Sequence, residues 1–124
     1  MDVTIFFFDT YAFCEIMAMN PSYREYAKHK NSATSLMNIY EFHYALLEQV
    51  PRNLVDRAIQ HLQHLCIPIT QQDIITASSF RFMNKKSKFS YIDSLGYIMA
   101  QRRGMLFLTG DNAFLGMNGV EFIR

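Results

Sequence analysis

The sequence predicts an α/β fold, a mainly parallel central sheet of four to five strands flanked by helices. Two observations carry that expectation. Short apolar runs recur along the chain without polar alternation, as parallel strands covered on both faces require. Between them lie longer segments whose apolar residues are spaced three or four apart, the period of amphipathic helices. The chain has 124 residues, half of them apolar. That length suits one compact domain over 1–124, with core enough to do without disulfides.

Residues 3–8 form the first expected strand. Residues 10–18 and 21–30 read as helices, broken at Asn20-Pro21 because proline is at home in a first helical turn. Residues 32–34 make a very short strand. Ser35 then caps a helix running to about residue 50, with an apolar stripe of Leu36, Ile39, Tyr40, His43, Leu47 and Val50. Pro51 opens another helix, ending near residue 65. Residues 67–69 read as a further strand, 71–84 as a helix and 84–88 as a basic loop. "SYID" is a capping box, Ser90 with Asp93 three residues on, and opens the clearest helix. Its buried stripe is Ile92, Leu95 and Met99. Arg102 and Arg103 complement its C-terminal dipole and Gly104 stops it. Residues 105–108 form an apolar strand, "TGDNAF" turns into a short helix, and 120–123 form a last strand.

Composition excludes several classes. The N-terminal apolar run is too short for a secretion signal or a membrane span. Cys14 and Cys66 lie far apart and read as free thiols of a cytoplasmic protein. Net charge is +1, so a nucleic-acid site needs a local basic patch. The chain carries 11 Phe, 7 Tyr and 8 Met, a surplus expected to face a partner in part. Tyr11, Phe13, Ile16, Met17, Tyr23 and Tyr26 concentrate that surplus on the early helices.

Four acids stand out. Asp9 ends the first apolar strand and Asp111 follows a later one, so both fall at the carboxyl edge of a parallel sheet, where active sites lie. Asp9 reads equally as a helix N-cap, Asp111 as an Asx-turn or cap, and Asp93 as the capping-box acid. Glu41 sits in a helix that is apolar nearly all round, which leaves a ligand role or a buried arginine partner. Together the four suggest more than caps. Clustered carboxylates repel unless a cation lies between them, and hard divalent ions such as Mg²⁺ or Mn²⁺ take oxygen ligands.

"FFFDTYAF", "TSLMNIYEF", "YIDSLGYIMAQRRG" and "MLFLTGDNAF" resemble, in order and spacing, the four signature segments of PIN-domain ribonucleases. They are most similar to the small kind that form the toxin half of VapBC toxin–antitoxin pairs. By that resemblance Asp9, Glu41, Asp93 and Asp111 correspond to the family's catalytic, metal-binding acidic quartet. Thr109 corresponds to its threonine before the last acid, and Thr10 to the hydroxyl residue after the first. The resemblance implies a PIN-like fold, Mg²⁺- or Mn²⁺-dependent endonucleolytic cleavage of RNA, a cognate antitoxin and a homodimer. One departure is "SLGYIMA", where many relatives are alanine-rich; it changes helix packing rather than chemistry.

Other signals are weaker. His61 and His64 lack a third ligand and read as surface or partly packed residues; His43 reads as a core histidine. Lys85, Lys86 and Lys88 form a solvated loop or a phosphate contact that positions RNA without reading its sequence. A phosphoacceptor receiver domain would want an acid pair where Asp9 and Thr10 stand. A haloacid-dehalogenase phosphatase would want an acid at Tyr11. A housekeeping RNA-processing nuclease and a non-catalytic PIN-like RNA-binding protein remain as rivals.

Overall fold

The computed structural model describes residues 3–124. Three phenylalanines form β1, Phe6–Phe8. Phe7 packs on one side of the sheet with Tyr97, Phe107 and Phe114. Phe6 and Phe8 pack on the other with Phe13, Tyr23, Phe42 and Leu46. Successive strand residues point to opposite faces, and both faces here are covered, so no position in the run is left for a polar residue.

Beside β1 lies β2 (Ser32–Ala33) on one edge, then β3 (Leu106–Thr109) and β4 (Val120–Phe122) on the other, in the order β2-β1-β3-β4. All three pairings are parallel. Helices α1 (Thr10–Met17), α3 (Leu36–Leu47) and α4 (Arg52–Leu62) contribute Ala12, Phe13, Phe42, Leu46 and Val55 to the Phe8 side. Helices α5 (Gln71–Met83) and α6 (Tyr91–Arg102) contribute Ala77 and Tyr97 to Ala100 to the Phe7 side. The architecture is thus a four-stranded parallel sheet between helical layers, as expected and PIN-like. Among the described residues no helix is long and apolar enough to cross a membrane.

Several expectations need correction. The segment 21–30 is not one helix: a 3-10 turn, Pro21–Tyr23, leads into a single turn, α2 (Arg24–Ala27). Residues 67–69 do not form a strand. Only a parallel bridge joins Thr34 to Cys66, and Pro68, which has no N–H to give a ladder, stands in the middle. The stripe on α3 is also different. Asn38, Ile39, Phe42 and Leu46 are buried, whereas Leu36, Tyr40, Tyr44 and Leu47 are exposed. Both sets repeat every three or four residues, so periodicity alone cannot choose the inner face. The early aromatics, finally, are mostly absorbed: Phe13 and Tyr23 are buried and Tyr11, Ile16 and Tyr26 half-buried, leaving Met17 exposed.

Candidate functional site

The carboxyl ends of β1 and β3 are neighbours, and the chain leaves β1 for β2 on one side and reaches β3 on the other. That reversal makes a topological switch point, the place where open parallel sheets form ligand crevices. Phe8 lies opposite Leu108, which brings Asp9 beside Thr109. The Thr109 hydroxyl donates to Asp9 Oδ2 at 2.8 Å and accepts the Asp111 N–H at 3.1 Å. The Thr10 N–H donates to Asp9 Oδ1 at 2.9 Å. Gly110 completes the turn, because a Cβ there would collide with the Ile123 carbonyl and the Tyr11 ring.

Every aspartate of the four does cap a helix. Asp9 caps α1, and Asp93 closes the box with Ser90, accepting its N–H at 3.0 Å through Oδ2. Asp111 Oδ1 caps the 3-10 turn Asn112–Phe114 by accepting the Ala113 N–H at 3.1 Å. Capping engages one oxygen each of Asp93 and Asp111 and leaves the other without a hydrogen-bond partner among the described residues. Glu41, half-buried on α3, has no protein hydrogen bond or ion pair among the described residues; the ion pairs found there belong to Asp73. The alternative of a buried arginine partner is therefore not what holds it.

The four acids are electrostatically joined. Burial, first, and the charge of Asp93, second, push the Asp9 carboxyl up to about 7; bonds from Thr109 and Thr10 oppose this and Glu41 adds to it. Asp93 is raised by its own burial and by Asp111, against the Ser90 N–H. The Cys14 thiol is raised by burial and then by Glu41, which makes it a poor nucleophile. An acid only 2% exposed, facing other acids with no cation of the protein beside it, is a site that a cation would relieve.

The donor set is all oxygen, which fits Mg²⁺ or Mn²⁺ rather than a soft metal. Among the described residues, however, no three Asp, Glu, His or Cys side chains stand close enough to enclose an ion. The fit is that of an ion held by one or two carboxylates and otherwise by water, the usual mode for Mg²⁺. Asp9, Glu41, Asp93 and Asp111 are the residues that could hold it.

Lys85 and Lys86 lie on a 3-10 turn, Lys85–Ser87, and Lys88 follows with φ 59°. All three are exposed, and the Lys85 ammonium sits 4.4 Å from the centre of the Phe82 ring. They precede the N-terminus of α6, which carries Asp93. Sequence reasoning missed Asn38, fully buried on α3. Its signal was present: an asparagine three residues after a capping serine, on a largely apolar helix.

No family model matches the chain, and no curated protein is detectably similar in sequence. Solved structures are similar in fold. A toxin–antitoxin complex from Klebsiella pneumoniae superposes with a TM-score of 0.74 at 18% identity, over 93% of this chain and 94% of that one. VapC20 from Mycobacterium tuberculosis, a toxin that cleaves the sarcin–ricin loop, gives 0.73 at 16%, over 94% and 98%. DNA-bound VapBC from Salmonella typhimurium gives 0.71 at 20%, over 98% of each chain. At such identities the likeness establishes the fold, shared along nearly the whole length with VapC-type toxin structures.

Proposed function

We propose that the chain is a Mg²⁺- or Mn²⁺-dependent endoribonuclease and the toxin of a VapBC-type pair. The observation that carries this reading is the buried Asp9 at the switch point, its pKa pushed up by burial and by the charges of Asp93 and Glu41, with no ion pair to any of the four acids among the described residues. In this reading one or two of Asp9, Glu41, Asp93 and Asp111 hold the metal and water completes its shell, the remaining acids lying around it. Thr109 fixes Asp9 relative to the Asp111 turn. An ion held there would supply an activated water and charge stabilisation for the leaving oxygen of a phosphodiester. Lys85, Lys86 and Lys88 position the RNA backbone beside it without reading sequence. The structural neighbours, a toxin–antitoxin complex and a toxin that cleaves the sarcin–ricin loop among them, support an antitoxin partner and an RNA substrate; the homodimer is what the sequence resemblance implies. The rival reading, a non-catalytic RNA-binding protein, draws on the absence of a closed three-ligand set.

Cleavage of structured RNAs separates the two. We expect cutting with Mg²⁺ or Mn²⁺, none in excess EDTA, and a loss of at least about tenfold in Glu41→Gln, the scale on which metal sites respond to altered surroundings. Undiminished cleavage in EDTA would remove the metal mechanism. RNA binding with no cleavage under any divalent ion would favour the rival.

A further inference from the structure

Asn38 is fully buried in the first turn of α3, and each of its polar groups has a partner. Its backbone N–H donates to Ser35 Oγ at 3.3 Å, and its Oδ1 accepts the Ser35 hydroxyl at 2.7 Å. Its Nδ2 reaches across to α1 and donates to Thr10 Oγ1 at 3.2 Å. The Thr10 hydroxyl in turn leans on the Asn38 carbonyl at 3.5 Å. Thr10 is the residue whose N–H holds Asp9 Oδ1. Three residues after Asn38, close to one helical turn on, stands Glu41. An amide therefore ties the helix that carries Glu41 to the helix that Asp9 caps.

Gly96 on α6 packs beside it. A Cβ at that position would stand 3.5 Å from Asn38 Oδ1 and only 3.0 Å from the Phe7 ring. The glycine of "SLGYIMA" thus lets α6 close over the Phe7 and Phe107 rings, and Asn38 lies within ordinary contact of it.

Packing does not require a polar group at position 38, because Ile39, Phe42 and Leu46 already provide the apolar contact of α3. An amide buried among apolar neighbours costs free energy unless its bonds are made, and a made network fixes geometry. We infer that Asn38 is a positioning residue that fixes Glu41 against Asp9 by bridging α3 to Thr10. The inference rests on the metal-site reading above.

The test is a thermal-unfolding titration of the full chain with Mn²⁺, set beside steady-state RNA cleavage. Asn38→Leu keeps the volume and removes the bridge; Thr10→Val removes the other end. In both, the Mn²⁺ concentration giving half the stabilisation should rise by about tenfold or more. kcat should fall with KM nearly unchanged, and the double variant should be no worse than the poorer single one. A purely structural role lowers the metal-free melting temperature and leaves the Mn²⁺ midpoint and kcat in place; that result overturns the assignment. So do additive losses, and so does a wild-type midpoint in Thr10→Val if Asn38→Leu does not fold. A wild type that Mn²⁺ neither stabilises nor activates overturns the metal-site reading itself, and with it this one.

Discussion

Asp9 is buried and faces other acids, so folding opposes its charge, although uncharged donors at both oxygens partly offset this. Its folded value of about 7 lies above the roughly 4 of an unfolded aspartate. The folded state therefore binds this proton more tightly. The stability it contributes is complete below about pH 4 and is lost as pH rises through about 7. Metal-free protein should be more stable at about pH 5 than at about pH 8, by an amount on the order of a few kcal/mol if Asp9 dominates. Asp9→Asn should flatten that slope and raise the melting temperature in EDTA at the higher pH, because asparagine caps about as well as aspartate. Added Mg²⁺ should stabilise wild type by binding the folded state alone, and the variant should lose most of that gain. Equal Mg²⁺ shifts in the two proteins would make Asp9 a cap and nothing more. The residue's place was legible in "FFFDT", an acid ending an apolar run. The Thr109 hydroxyl that joins it to Asp111 was not, since only the β1–β3 register brings residues a hundred apart into contact.

Elements whose ends carry their own chemistry were the legible ones. Ser35 and Ser90 cap α3 and α6 as read, and the Ser90–Asp93 box is formed on both sides. A second box, Thr70 with Asp73 at the start of α5, went unread although "TQQD" has the pattern. Asp73 does more than cap. Fully buried, it pairs with Arg102 and Arg103 at the far end of α6 and so clamps the two helices that cover the Phe7 face. The Arg103 guanidinium, foremost, holds its carboxyl well below the usual range. That contribution is present above about pH 4 and fades as pH falls below it. The arginines' complement to the α6 dipole could be read locally; their pairing with an acid thirty residues back depends on how the layers stack. Asp73→Ala should cost about 3 kcal/mol, the low end for breaking a buried pair, because both guanidinium groups still touch solvent. A loss of less than about 1 kcal/mol, taken from the denaturant midpoint and slope, would show the clamp to be a surface pair. RNA cleavage, measured where the variant remains folded, should be nearly unchanged.

At the scale of the molecule, the surplus of apolar residues was legible in composition and its location was not. The early helices bury most of theirs, Met17 and Met19 excepted, and most of the exposed surplus collects in two other places. One is the outer side of α3 and the start of α4, with Leu36, Tyr40, Tyr44, Leu47 and Leu54; the other is α5 with the first residue of α6, with Ile74, Ile75, Phe82, Met83 and Tyr91. Clusters of this kind mark surfaces that associate. The proposed toxin needs two covers, a second copy of itself and an antitoxin segment, and two separate apolar faces match that count. A charged residue placed in each face should therefore separate the functions. Tyr44→Glu and Phe82→Glu both lie at exposed positions and should fold normally. We expect wild type to sediment as a dimer, one variant to sediment as a monomer, and the other to keep the dimer while binding antitoxin at least about tenfold more weakly, as when a single contact worth about 1.4 kcal/mol is lost. If the same variant abolishes both, the two partners share one face and the second patch has another use. If neither changes mass or affinity, the exposed aromatics are not interface residues, and the partner surfaces lie elsewhere on the molecule.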